Sequence, residues 1–286
     1  MKKQTLKIAF LLLISISAIA TISCGDDDNS VSPIIDAGND PNFKIIVNSD
    51  QGLESFNRKV MVFDIPIYAV SKVDDDKLLH AANVLAQYLD NDEDGIIDDP
   101  KVIDAMVKNE AFVVMWKRES DLNINPPENR MGQDLGNNET VPSFVVNGCT
   151  GQFDATLEEI LHIISNAGYA SAYPDVFGTY AETELAKALD KARGGHFTSI
   201  PNQYPEGVWF KYDDNTCEYD CQATEYFYWA FTSYLGAQEN RLGDIDNEWL
   251  LNTKEKVAET DTDITEIITN PEYKLPKVLP DGTYKR

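Results

Sequence analysis

The chain has 286 residues, 48 Asp and Glu against 24 Lys and Arg, and a formal net charge of −24. A surface of that sign repels phosphate backbones and anionic headgroups, which excludes a nucleic-acid binder and suits a body held beside divalent cations. The length allows one large domain or two small ones.

The chain opens with Lys2 and Lys3, an apolar run over residues 8–18, and small residues ending at Ser23-Cys24. These are the three parts of a secretory signal. The run is too short for a permanent membrane-spanning helix. A cysteine at the cut site resembles the bacterial lipoproteins, whose signal peptidase cuts before a cysteine that is then lipidated. Thr21 departs from the aliphatic residue usual three places before it. The resemblance implies a signal peptide over 1–23, a lipid on Cys24 and a mature protein held on the outer membrane. The acidic run Gly25-Asp26-Asp27-Asp28 is similar to the export tag of some surface-displayed lipoproteins. Losing Lys2, Lys3 and Lys7 moves the charge from −24 to −27. Residues 24–42 read as a tether, with a reach of about 20–25 Å. Residues 43–286 read as a single domain.

Residues 58–68 are strand-like, with Pro66 marking an edge. Residues 74–89 carry a helical stripe of Leu78, Leu79, Ala82, Leu85 and Leu89. Asp99-Pro100 reads as N-cap and first-turn proline of a second helix, to about residue 108. Residues 111–116 form a buried strand, 119–141 a long polar loop or lid, and 143–146 a short strand. A helix over 157–166 stops at Gly168, and another spans 180–192. Residues 222–235 are apolar nearly all round, as a central helix is. Terminal helices cover 247–258 and 263–269. Strands and helices mix without regular βαβ spacing, which predicts an α+β fold with a small sheet first and helices dominating the second half.

Two segments carry chemistry. In residues 90–99, Asp90, Asp92 and Asp94 stand at loop positions 1, 3 and 5 around Gly95 at position 6. Ile96 offers a carbonyl, Ile97 anchors the loop and Asp98 fills position 9. This resembles an EF-hand loop between helices (residues 90–101), implying a structural calcium. Lys101 stands where the bidentate glutamate belongs, so binding is weak or Asp99 is recruited instead.

The second segment is Glu158-Glu159-Ile160-Leu161-His162. It is similar to the HExxH helix of zincin peptidases with the first histidine replaced by glutamate. Glu158 and His162, four apart, face one side of a helix, and both residue types ligate zinc. The resemblance implies Glu159 as the general base. The gluzincin group adds a glutamate from a later helix, and Glu225 fits, since a carboxylate on an apolar helix needs a partner. Glu182 and Glu184 compete for that place. His196 is a further ligand or oxyanion donor, and Tyr204, Tyr212 and Tyr226 are alternatives for the latter. Against this, Thr156 and Glu159 have capping-box spacing, as do Thr179 and Glu182. His162 then becomes a core histidine. His80 lies beside an apolar stripe and reads as packed.

Three cysteines follow Cys24. Cys217 and Cys221 are close enough to staple a helix start, and Cys149 can pair with either. No Gly-x-Ser-x-Gly and no phosphate-cradling loop occurs. Two functions stay open: a metal-dependent hydrolase of polypeptides, and a non-catalytic module binding glycan, peptide or another lipoprotein through Trp209, Tyr212 and Tyr204.

Overall fold

A computed structural model describes residues 40–122, 126 and 129–286. The signal segment, Cys24 and the tether as far as residue 39 lie outside the described residues. Among the described residues no helix is long and apolar enough to cross a membrane.

The fold is α+β. A five-stranded sheet runs in the order β1 (Ile46–Val47), β2 (Arg58–Val62), β3 (Ile65–Ala69), β4 (Phe112–Trp116), β5 (Gly132–Gly136). The first three are antiparallel neighbours and the last three parallel. Residues 58–68 are thus a hairpin rather than one strand. Phe63 and Asp64 make its two-residue turn at φ 46° and 68°, the left-handed pair that matches strand twist.

Pro66 lies in β3, the central strand of the sheet, not at an edge. It opposes Met61, next to the turn, and pairing with β4 starts only at Ile67. No ladder bond is lost to the missing N–H. The polar segment 119–141, expected as a loop, contributes β5 to the sheet.

Helices α1 (Asp75–Leu89) and α2 (Pro100–Lys108) bridge β3 and β4. Asp99 caps α2 with Pro100 at its first turn, as the sequence implies. Residues 143–146, expected as a strand, form the short helix α3 (Ser143–Val146). Next comes α4 (Thr156–Ile163), which does not stop at Gly168. It continues as a π-helical turn over Ile164–Tyr169 into α5 (Ala170–Ala172). Gly168 is there for contact with α2: a Cβ would sit 2.7 Å from Val102.

The second half holds α6 (Pro174–Phe177), α7 (Glu184–Ala192), α8 (Tyr219–Tyr234), α9 (Leu242–Ile245), α10 (Lys254–Thr260) and α11 (Thr262–Thr269). α8 is central, with an unbroken buried run from Cys221 to Ser233. Cys217 and Cys221 form a disulfide across its start, and Cys149 is a buried free thiol. α4 packs against β5, α1 and α8, which places its polar residues between the sheet and the central helix.

Candidate metal centres

The start of α4 is set by Asp154. Its Oδ1 accepts the N–H groups of Val141 and Thr156, at 2.8 and 3.2 Å, and its Oδ2 lies 2.6 Å from Nε2 of buried His80. His80 is therefore packed and paired, as expected. The capping box is not formed. Thr156 lies inside the helix with its hydroxyl buried and unpartnered, and Glu159 accepts from Gln133 instead. At the second such spacing, Thr183 caps α7 and Glu182 is exposed.

Glu158, Glu159 and His162 bring one ligand atom each within 4.8 Å of one another. From α8, Glu225 reaches the same point: its Oε2 lies 3.7 Å from Nε2 of His162. On the other side of the ring, Nδ1 lies 3.4 Å from Oε2 of Glu159. Glu159, His162 and Glu225 are buried, while Glu158 is partly open to solvent. The convergence separates Glu225 from its competitors, since Glu182 and Glu184 are both exposed.

Two atoms test whether this set suits an ion. Nε2 of His162 and Oε1 of Glu225 are buried and have no hydrogen-bond partner. Unsatisfied buried polar atoms are rare and costly, and two on side chains that meet within 3.7 Å fit a cation beside them.

The electrostatics agree. Burial, then the charge of Glu159, pushes the Glu158 carboxyl up to about 7, against the pull of His162, Tyr228 and Arg241. Burial and the charges of Glu158, Glu159 and Glu248 hold Glu225 well above the carboxylate range, and Tyr212 opposes this. Glu159 is raised by burial and by Asp134 and Glu139, and lowered by Gln133. Burial pushes His162 down, toward the neutral form that ligates metals, although Glu158 opposes it.

Other expected residues fall elsewhere. Tyr226 turns away from Glu225 and donates to Oδ2 of Asp261 at 2.6 Å. His196 is half exposed, with Nδ1 2.7 Å from Asp190 and its ring on Tyr219. Trp209 and Tyr204 are partly exposed, Trp209 donating to Asp261 and Tyr204 to the Tyr212 carbonyl, while Tyr212 is buried. The segment taken as a lid instead supplies Gln133 and Asp134 from β5.

Tyr228, Arg241 and Glu248 also border the centre and were not singled out from the sequence. Tyr228 carries a signal, since it follows Glu225 by three residues and shares its face of α8. Gln133 carried none while its strand read as loop.

The second acidic group is the loop between α1 and α2. Carboxylate oxygens of Asp90, Asp92 and Asp94 lie within 4.8 Å of one another. Asp90 accepts the N–H groups of Asp94 and Gly95, and Asp98 that of Asn91. Ile96 is exposed and Ile97 packs on the core. Asp99 is already engaged: Oδ1 caps Lys101 and Oδ2 accepts from Tyr173 at 2.7 Å. The C-terminal segment straps this loop, Tyr284 donating to Asp90, Lys285 to Glu93, and Asn91 bonding residues 277 and 278. A surface cavity lined by Asp50, Lys59, Glu110 and Arg130 touches neither acidic group.

The fold and sites together define an α+β protein with a buried carboxylate–imidazole cluster and a helix–loop–helix acidic loop. No known protein family, characterised protein or solved structure matches the chain.

Proposed function

We propose that this chain is an exported envelope protein, lipid-anchored through Cys24, whose body is a divalent-metal-dependent hydrolase acting on polypeptides, with a structural calcium in the 90–98 loop. The observation that carries the enzymatic reading is the buried approach of His162 Nε2 to the Glu225 carboxylate, 3.7 Å from Oε2, with Nε2 and Oε1 both left without a hydrogen-bond partner.

Glu158, His162 and Glu225 would hold the ion, a mixed oxygen and nitrogen donor set suited to zinc. A divalent ion there polarises a carbonyl and acidifies water. The remaining work falls to side chains. With the proton of His162 on Nδ1, facing Glu159, its Nε2 lone pair would be free to hold the ion. Gln133 steadies Oε2 of Glu159, leaving Oε1 to accept a proton from the attacking water and deliver it to the leaving amine. Partly open Glu158 marks the side from which substrate enters.

The test is metal analysis of the purified protein beside a cleavage assay on an unfolded polypeptide. Stoichiometric zinc lost on His162→Ala, with cleavage lost but zinc kept on Glu159→Gln, supports the reading. A protein that takes up no divalent metal and cleaves nothing rejects it.

A further inference from the structure

Arg241 is held beside the cluster without an acidic partner. Its guanidinium carbon lies 3.7 Å from the centre of the Phe153 ring and 5.9 Å from that of Trp229. One of its N–H groups donates to Oε1 of buried Gln238, whose amide nitrogen in turn donates to the Tyr228 hydroxyl. Yet none of the ion pairs formed among the described residues includes Arg241. In a chain of formal charge −24, a fixed guanidinium without a carboxylate partner is unusual. Stacking and the hydrogen bond to Gln238 have already removed much of its freedom, so little ordering cost remains for a ligand.

Its place is also specific. Gln238 links Arg241 to the Tyr228 hydroxyl, and the Tyr228 ring packs edge-on against the His162 ring with centroids 5.7 Å apart. Arg241 therefore stands beside the tyrosine that packs on a proposed metal ligand. It is partly open to solvent, as Glu158 is. One residue of extended chain spans about 3.8 Å, so a carboxylate one residue beyond an attacked carbonyl reaches the guanidinium. A carboxylate is also the planar, two-oxygen partner that an arginine fork matches best.

We propose that Arg241 is the specificity residue of the site and that it binds a substrate carboxylate one residue beyond the bond cleaved. This rests on the hydrolase reading above. The carboxylate can be the end of a peptide chain or an acidic side chain.

The experiment uses full-length zinc-loaded protein and three dipeptide hydroxamates, with binding followed by calorimetry. One has a free C-terminal carboxylate, one a C-terminal amide, and one an amide with an aspartate side chain. Wild type is expected to favour a carboxylate-bearing probe over the plain amide by about 10- to 100-fold. Whichever carboxylate probe wins names the source. Arg241→Gln is expected to erase the preference while leaving amide binding and zinc content unchanged, and Arg241→Lys to restore part of it. Equal binding of all three probes by wild type overturns the proposal, as does an Arg241→Gln variant that keeps the preference or weakens all three alike. A wild-type protein that binds no zinc brings down the hydrolase reading itself, and this proposal with it.

Discussion

His162 and Glu225 meet across two helices, with Nε2 of the one 3.7 Å from Oε2 of the other and both side chains almost wholly buried. Neither residue is explained by the packing around it. The ring leaves Nε2 without a partner and the carboxylate leaves Oε1 without one. An apolar core of the same shape would avoid both costs, so the arrangement points to a guest between them.

The metal-free protein is expected to lose stability as pH rises. Burial, then neighbouring carboxylates, lifts Glu158 and Glu248 from an ordinary 4.5 up to about 7 in the folded chain. The folded values lie above the unfolded ones, so the native state binds more protons between them. That stability is fully present below about pH 4.5 and is lost as pH rises through 7. A shift of this size corresponds to something on the order of 3 kcal/mol per group. With chelator present, the melting temperature is expected to fall between pH 5 and 8, Glu158→Gln to reduce the slope, and zinc to flatten it. A flat or rising curve in chelator contradicts the assignment.

Thr156 distinguishes a cap from a buried hydroxyl. Its Oγ is enclosed and unpartnered, so Thr156→Val is expected to raise unfolding stability by about 1 kcal/mol. Were the residue a helix cap, the same change would cost about 1 kcal/mol. Urea denaturation reads the sign directly.

The entry into α4 depends on Asp154, which joins His80 to two backbone donors. Removing it with Asp154→Ala strands three polar groups, two of them buried, and is expected to cost about 3–5 kcal/mol. On the other side of His80, a Cβ on Gly282 would lie 2.0 Å from Nδ1, and Gly282 has φ +78°. Gly282→Ala is therefore expected to destabilise by about 1–3 kcal/mol. Glu182→Ala, at an exposed position, serves as the silent control in the same denaturation series.

Calcium is expected to raise the melting temperature, by an amount equivalent to about 1–3 kcal/mol in 10 mM ion, given the weak affinity of extracellular loops. Exposed Asp92 accepts only from the nearby Asp94 backbone, so Asp92→Ala is expected to abolish the rise with little effect on the calcium-free protein. An unchanged melting temperature in wild type, with and without chelator, rejects the calcium site.

Much of the helix content was legible because it is written in local spacing. The stripe on α1, the Asp99-Pro100 start of α2 and the aromatic wall of α8 are periodic signals that need no partner. The acidic loop was legible for the same reason, since its carboxylates alternate within a few residues. The hairpin turn at Phe63-Asp64 was hidden because neither residue is a glycine or asparagine. Strand β5 was hidden because Gly132, Gln133 and Asp134 lack strand-like side chains; it exists because β4 offers a free edge. Gly168 read as a stop, whereas its bare backbone lets α2 approach while the helix winds on.

The sequence carried the residue types that hold cations and the order in which they arise, because short-range spacing puts Glu158, Glu159 and His162 on one coil. Which distant carboxylate joins them, which tyrosine packs there, and whether Thr156 caps or is entombed came from packing. No spacing rule specifies which face of one helix meets another far along the chain. That pairing is settled by how the buried faces of α4 and α8 fit together, and it sends Glu225 inward, Tyr226 toward Asp261 and Glu182 to the surface.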